Sequence, residues 1–151
     1  MNMISDPNAA RKGWLGLLAT SPAIGVAQLW AALQLEPAHT ILRMPEIGGV
    51  MVRGRAGAVG AAFNLGEMTV TRASVKLSDG TVGHGYVQGR GKDHALQAAL
   101  VDALMQTDAA AIVEAGLLVP LRAATSQHKT DRAAKAAATK VDFFTMVRGE
   151  D

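Results

Sequence analysis

The chain has 151 residues, of which 49% are hydrophobic, 19% charged and 4% aromatic, with a formal net charge of +2 at pH 7. This length suits one domain with a sizeable core. Cysteine is absent, which excludes an iron–sulfur cluster, a thiolate zinc site or a disulfide held by this chain alone. The few aromatic residues argue against a base-stacking nucleic-acid surface, and no run approaches the ~20 apolar residues that span a bilayer. We therefore expect a cytoplasmic protein with neither a nucleic-acid nor a membrane partner.

Two proline-initiated helices are predicted near the N-terminus. Asp6-Pro7 and Ser21-Pro22 each place proline in the first turn of a helix, where its missing N–H costs no hydrogen bond. Apolar residues then recur at helical spacing, with Trp14 on the first helix and Trp30 on the second. The short link between them predicts a helical hairpin whose tryptophans pack in the core.

Half-buried strands are predicted next, because apolar and polar residues alternate. Gly48-Gly49 predicts a hairpin turn between two strands, 39–47 and 50–56. Pro45 lacks a backbone donor, which favours a sheet edge for the first of them. After a Gly/Ala-rich loop, a third strand is predicted at 59–65, with a bulge or bend at Gly66-Glu67.

A hairpin, a loop and a helix are predicted over residues 69–106. Alternation resumes at Val70, and Asp79-Gly80 is a strong hairpin signal because its turn type needs positive φ at both central residues. The return strand covers 81–87. A helix from about Asp93 to Gln106 follows, with apolar residues three and four apart. Consecutive hairpins predict an α+β fold with an antiparallel sheet on which this core helix packs.

The loop before the core helix, Gln88-Gly89-Arg90-Gly91-Lys92, is basic and rich in glycine. It brings Arg90 and Lys92 to a helix N-terminus, where unpaired N–H groups favour an anionic oxygen. A phosphate contact is one interpretation. The other, which spacing alone favours, is that Asp93 caps the helix and both cations are solvated. The GxGxxG dinucleotide pattern and the GxxxxGK[ST] phosphate loop are both absent from the sequence.

The amino-acid composition of the C-terminal part changes twice. A short helix at 109–115 is predicted to end at Gly116, a typical C-cap residue. Residues 122–140 are alanine-rich without a large apolar side chain, which predicts a helical arm or spacer. An apolar strand is then predicted, containing Val141, Phe143, Phe144, Met146 and Val147. This strand either docks onto another chain or returns to its own sheet, and we divide the chain into an α+β domain (1–121) and a partner-docking arm (122–151).

The histidines do not form a metal pair. His39, His84 and His128 are scattered without HxxxH spacing, so no metal and no cofactor is predicted. His94 falls in the first turn of the core helix, beside the basic loop, which suits an anion contact or a hydrogen bond to a partner. No nucleophile is paired with it in the sequence, so the catalytic residues stay unknown.

Several blocks closely resemble the PhnG family, the G subunit of the bacterial carbon–phosphorus lyase core complex. The resemblance spans essentially the whole chain. Its blocks are Thr71-Arg72-Ala73, Asp79-Gly80-Thr81, Val87-Gln88-Gly89-Arg90, His94-Ala95, Asp102-Ala103-Leu104-Met105-Gln106 and 141–149. In two places the family usually has an acid where this chain has Gly91 and Leu96.

The resemblance implies a non-autonomous subunit of phosphonate catabolism. Family members act with PhnH-, PhnI- and PhnL-type subunits to move the ribose 5-triphosphate unit of ATP onto an alkylphosphonate, which releases adenine. A PhnJ-type radical iron–sulfur subunit breaks the carbon–phosphorus bond later. The resemblance puts the glycosyl-transfer site in the PhnI-type subunit, with the G subunit wrapped around it. We therefore expect a subunit of a multi-subunit transferase that has no activity alone.

Arginines in the matching blocks are the expected contact residues. Their planar guanidinium groups suit carboxylate or phosphate, and the full anion- or partner-contact set is Arg72, Gly89, Arg90, Lys92, His94 and Arg148. Two other functions stay open. One is a small phosphate- or nucleotide-binding module outside that complex, and the other is a standalone enzyme, which the lack of paired catalytic groups disfavours. Without a partner, the apolar end predicts a homodimer or a return to its own sheet.

Overall fold

The computed structural model describes residue 6 and residues 8–57 and 59–141. Within those residues three antiparallel strands form one sheet in the order β1-β2-β3, and helices precede and follow them. The predicted α+β class is confirmed. The elements in chain order are α1 (Ala9–Thr20), α2 (Ala23–Leu33), β1 (His39–Arg55), β2 (Ala62–Leu77), β3 (Val82–Gln88), α3 (Lys92–Leu104), α4 (Ala110–Val113), a π-helical turn (Glu114–Leu118) and α5 (Val119–Ala138).

The two predicted N-terminal helices are present and are joined by a short link. Helix α1 ends where the backbone N–H and the hydroxyl of Ser21 both donate to the Leu17 carbonyl, and Pro22 then precedes α2. Among the described residues, no single helix is both long and apolar enough to cross a membrane. Only α1 and α2 taken together reach that length and composition, as a pair bent by 116°.

Strand β1 is continuous, so the predicted turn at Gly48-Gly49 is wrong. Gly48 pairs with Val70 and Gly49 with Thr69 in the middle of the ladder to β2. A Cβ at Gly49 would overlap the carboxyl group of Glu67, so a glycine serves close cross-strand packing here. The chain reverses after Arg55 instead, where Gly57 has a φ of +69°.

The edge position of β1 and the irregularity of β2 agree with the sequence. Pro45 lies at a register shift in β1, where its missing N–H removes no ladder bond. The last of three register shifts pairs Val52 with Gly66 and Arg53 with Asn64, which leaves Leu65 as the extra residue of a bulge. The bulge therefore lies one residue before the predicted position.

The β2–β3 hairpin is confirmed, but its turn differs from the expected type. Gly80 has a φ of +94°, whereas Asp79 does not have a positive φ. Asp79 acts through its side chain, because its Oδ1 accepts a hydrogen bond from the Thr81 N–H at 2.8 Å. The same bond lowers the pKa of Asp79.

Helix α3 packs on β3 and β2 and forms the centre of the domain. Its close approach depends on Gly83 and Gly85, since a Cβ at either would overlap the α3 backbone near Ala99 or Ala95. The largest fully buried apolar side chains are Leu18, Leu117, Leu118, Val26, Val75, Val87, Val101 and Val113.

The outer halves of β1 and β2, residues 48–55 and 62–69, form a two-stranded extension that we call the distal ribbon. Strand β3 pairs only with Val70 to Lys76 of β2 and does not reach it. Most side chains of the ribbon are exposed, including Phe63 and Leu65.

The helix predicted to end at Gly116 continues, so that prediction is wrong. Gly116 lies in the π-helical turn between α4 and α5, and a Cβ there would overlap Leu33 of α2. Its role is close helix packing. Leu121 is buried in the first turn of α5, and after Arg122 the side chains are exposed apart from half-buried Thr125.

Candidate anion- and partner-binding surface

Arg72 lies on the open face of β2, the face opposite α3, and shares a carboxylate with Arg43. The Arg72 Nε lies 3.3 Å from Oε2 of Glu46, and Arg43 Nη1 donates to the same oxygen at 2.9 Å. The hydrogen bond from Arg43, followed by the charge of Arg72, holds the pKa of Glu46 below its usual value. All three side chains are about half exposed. Two cations on one carboxylate leave a net charge of +1 that is accessible to a ligand or partner.

The basic loop is fixed to the sheet by Gly89. This residue has a φ of +91°, and its N–H donates to the Thr69 carbonyl at 2.9 Å. The Thr71 hydroxyl donates to the Gly89 carbonyl at 2.7 Å. The two bonds fix the backbone from which Arg90 and Lys92 project.

Arg90 and Lys92 are exposed and have no ion-pair partner within the described part of the chain. Each lines an open depression beside the middle of β1, Arg90 near Gly49 and Lys92 near Pro45. The N-cap of α3 is Gly91, and the side chain of the predicted cap, Asp93, makes no hydrogen bond with another described residue. The loop thus presents two cations that form no ion pair with another described residue, at a helix start that also carries the exposed Asp93, and the site is open to solvent.

His94 is buried, with 4% of its surface exposed, and its Nε2 lies 2.9 Å from the carbonyl oxygen of Leu18 in α1. Burial lowers the pKa of His94, while the bond to Leu18 opposes that shift. The ring is therefore neutral at pH 7 and donates its Nε2–H to Leu18. This placement gives His94 a structural role, tying α3 to α1, and the predicted anion or partner contact of His94 stays a prediction.

Asp102 is the buried polar residue that sequence reasoning missed. Its Oδ1 accepts from Arg11 Nε at 3.0 Å and from Trp14 Nε1 at 2.9 Å. Its Oδ2 accepts from Arg11 Nη2 at 2.7 Å and from the backbone N–H of His84 at 2.9 Å. The bidentate bond to Asp102 raises the pKa of Arg11. One carboxylate thereby joins α1, α3 and β3.

A sequence signal for this network was present. Asp102 follows Ala99 by three residues and Ala95 by seven, so it falls on the apolar stripe of its helix. Acids are almost never fully buried unless they are paired. Arg11 and Trp14, three residues apart on one helix, were the available donors.

The open face also carries a hydroxyl–imidazole pair. Ser74 Oγ lies 2.9 Å from Nδ1 of His84 on the neighbouring strand, which is the spacing of a nucleophile and its base. Asp102 bonds the backbone of His84, and among the described residues no carboxylate orients its imidazole. The pair is solvent-exposed, so it lacks both the third group and the enclosure of a catalytic site. The described residues also contain no group of three or more His, Cys, Asp or Glu that could hold a metal.

The C-terminal part of the predicted contact set lies outside the described residues: Phe143, Phe144, Met146, Val147 and Arg148. Val141, the last described residue, is exposed. Docking through this segment stays a prediction.

Comparisons with known proteins identify the family. The model of the family described as phosphonate metabolism protein PhnG matches residues 9–149. The chain is 44% identical over 143 residues to a protein of Rhizobium meliloti (strain 1021), alpha-D-ribose 1-methylphosphonate 5-triphosphate synthase subunit PhnG. That alignment covers 95% of this chain and 92% of the relative. The resemblance seen in the sequence is confirmed, and the chain belongs to the PhnG family.

Proposed function

We propose that this chain is a non-autonomous, cytoplasmic subunit of the synthase that transfers the ribose 5-triphosphate moiety of ATP to an alkylphosphonate and releases adenine. The observation that carries the proposal is 44% identity, over 95% of the chain, to a protein named as a subunit of that synthase. PhnH-, PhnI- and PhnL-type subunits complete the transferase, and a PhnJ-type subunit acts on its product.

The described surface supports a subunit role over a standalone enzyme. The basic loop is open to solvent, and the imidazole of His94 is hydrogen-bonded to a carbonyl oxygen of α1. Among the described residues, the Ser74–His84 pair lacks an orienting carboxylate. Chemistry of this kind needs enclosed, mutually oriented groups. A partner subunit supplies them in this proposal, and the present chain contributes binding surface.

Residues 122–151 form the arm that docks onto the partner. Leu121 is the last buried residue of α5, and Arg122 forms an ion pair with Glu114 on the π-helical turn. Beyond them the helix has little apolar area with which to hold itself against the domain. Burying Val141, Phe143 and their apolar neighbours on a partner contributes about 1.5–3 kcal/mol per large side chain before ordering costs.

Reconstitution tests the proposal. The tagged chain would be coexpressed with the subunits of the neighbouring open reading frames, purified by size exclusion and assayed for adenine release from ATP and methylphosphonate. We expect coelution, and adenine release that requires this chain. The isolated chain serves as the control and should release none. Elution of the chain away from every other subunit, or adenine release by the chain alone, would contradict the proposal.

A small phosphate- or nucleotide-binding module is the second candidate. It is favoured by the unpaired cations Arg90 and Lys92 beside the start of α3. Titration of the isolated chain with ATP in a calorimeter separates the two functions. Micromolar binding that is lost in Arg90→Ala, in a chain that joins no complex, would favour the module.

A further inference from the structure

The distal ribbon has one apolar face and one polar face. Paired residues of antiparallel strands point to the same side, so Val50 shares a face with Met68, and Phe63 with Gly54. The bulged Leu65 also lies over Gly54, since a Cβ there would overlap it. This face continues along β2 and β3 to Val70 and Tyr86, opposite α3. We call it the open apolar strip, with members Val50, Val52, Phe63, Leu65, Met68, Val70 and Tyr86.

The opposite face of the ribbon is suited to water. It carries Arg53 paired with Asn64, and Met51 paired with Glu67. On the strip, by contrast, Phe63 is 45% and Leu65 62% exposed. A two-stranded ribbon is marginally stable by itself, and one with a single apolar face is stabilised when that face is covered.

The strip ends in a concave, charged corner. Val70 is only 4% exposed, although it does not belong to the main core cluster around α3. It lines a depression together with Val50, Tyr86 and Arg72. Beside this depression Arg72 and Arg43 share the carboxylate of Glu46, which leaves a net charge of +1. An occupant that fits has an apolar body and a carboxylate at the end that reaches Arg72.

We propose that the open apolar strip docks another protein subunit of the complex, through an apolar strand or helix that ends in a carboxylate. The inference rests on the proposed function and adds a second contact to the C-terminal arm. A second copy of this chain fits less well, because none of the strip members is a carboxylate that could meet Arg72. The strip has seven members, whereas a stable interface takes roughly 20–30 residues a side. Another contact on the same partner, such as the arm, is therefore required.

A matched pair of substitutions tests the face. Leu65 and Met51 are 62% and 57% exposed on opposite faces of the same ribbon. Each would be replaced by Lys in the full chain, and binding to the purified remaining subunits would be titrated. We expect Leu65→Lys to weaken binding about tenfold or more, with Phe63→Ser acting in the same direction and Met51→Lys unchanged. Circular dichroism and the unfolding midpoint of each isolated variant report folding.

The corner has its own test. Because a carboxylate is expected opposite Arg72, Arg72→Glu should weaken binding more than Arg72→Gln, and the difference should shrink at high salt. Equal effects of the two substitutions would overturn the carboxylate assignment.

Four outcomes are decisive. Wild-type binding by both Leu65→Lys and Phe63→Ser overturns the inference, and so does equal weakening by Leu65→Lys and Met51→Lys. An isolated wild-type dimer that Leu65→Lys dissociates would show that the occupant is a second copy. If the unchanged chain binds none of the subunits, the proposed function itself fails, which is distinct from loss of binding in the strip variants alone.

Discussion

Glycines in the sheet beneath α3 and glycines in the distal ribbon have different surroundings. A Cβ at Gly83 or Gly85 would overlap the backbone of α3, so a helix of the same chain packs directly against these glycines. In the ribbon, a Cβ at Gly48 or Gly66 would meet nothing within 4 Å, and one at Gly49 or Gly54 would meet only the exposed side chain of Glu67 or Leu65 on the neighbouring strand. The inner half of the sheet is completed within the chain, whereas the outer half lacks its covering layer.

The buried carboxylate of Asp102 and the exposed carboxylate of Glu46 show a similar contrast. Asp102 is fully buried and accepts from Arg11, Trp14 and the His84 backbone, so its hydrogen-bonding capacity is used within the fold. Glu46 is half exposed and its cluster keeps a net positive charge. A saturated buried network fixes a structure, while an exposed and unbalanced cluster can still bind something else.

Removing the buried carboxylate should have the largest effect on the isolated chain. Asp102→Ala leaves Arg11, Trp14 Nε1 and a backbone N–H without their acceptor, so the free energy of unfolding should fall by about 3–5 kcal/mol. Urea titration followed by tryptophan fluorescence measures it. Exposed Asp108→Ala is the control and should change stability by no more than about 0.5 kcal/mol. A loss below about 1 kcal/mol for Asp102→Ala would show that the network is unimportant.

Glycine substitutions compare the two halves directly. Gly85→Ala forces a methyl group into the α3 backbone and should cost about 1–3 kcal/mol. Gly66→Ala, in open space on the ribbon, should be neutral or stabilise by up to about 1 kcal/mol, since it removes backbone freedom from the unfolded chain. Thermal and urea unfolding of both variants would check this. Equal losses would mean that the inner half is no more closely packed than the ribbon.

The burial of His94 should make stability depend on pH. Burial depresses its folded pKa below the usual 6.5. The unfolded chain then binds a proton that the folded chain does not, so stability is full above pH 6.5 and falls as pH drops from there toward the folded pKa. His94→Gln should flatten this part of the profile of unfolding free energy against pH. His84→Gln, at an exposed position, is the control, and an unchanged slope in His94→Gln would contradict the assignment.

Removing the arm should barely affect the domain. Deletion of 122–151 removes side chains that are mostly exposed over 122–141, together with the exposed Arg122–Glu114 ion pair, so the unfolding free energy should change by less than about 1 kcal/mol. The same deletion should abolish assembly with the partner subunits. A large fall in melting temperature would instead show that Phe143 and Phe144 belong to the core of the domain.

The smallest effect on stability is expected at Arg90. Its side chain is exposed, so Arg90→Ala and Arg90→Lys should both stay within about 0.5 kcal/mol of the unchanged chain. If its contact is bidentate, both should lower adenine release by the reconstituted complex, with Lys unable to restore the paired hydrogen bonds. Full activity of both variants would identify Arg90 as a solvated loop charge.

Local patterns predicted most of the fold but not its long-range choices. The two N-terminal helices, the Asp79-Gly80 reversal and α3 follow from spacing and turn chemistry within a few residues. Gly49 and Gly116 resembled turn and cap residues but are packing positions, because Glu67 and Leu33 approach them from elsewhere in the chain. Gly48 pairs with Val70 inside the ladder instead of forming a turn. The sequence alone does not distinguish a glycine that ends a helix or strand from one that leaves room for a neighbouring side chain.

The candidate surface was predictable only in part. The basic loop and Arg72 were identified by residue type and block position, and the structure leaves them exposed on the sheet. His94 and Asp102 could not be placed, because their roles depend on donors and acceptors some 76 and 91 residues away. The open apolar strip depends on cross-strand register and a bulge, which alternation within one strand cannot specify.

The π-helical turn determines how α5 is rotated about its own axis relative to α4. Glu114–Leu118 joins α4 to α5 without a break. Leu117 and Leu118 are buried within the turn, and Leu121 is buried in the first turn of α5. Such turns arise when one residue is added to an α-helix, and one residue corresponds to about 100° of rotation. Shortening this turn by a residue would leave α5 helical but swing its later side chains by more than a quarter turn about the helix axis. A single inserted residue therefore determines the direction in which the side chains of α5 point.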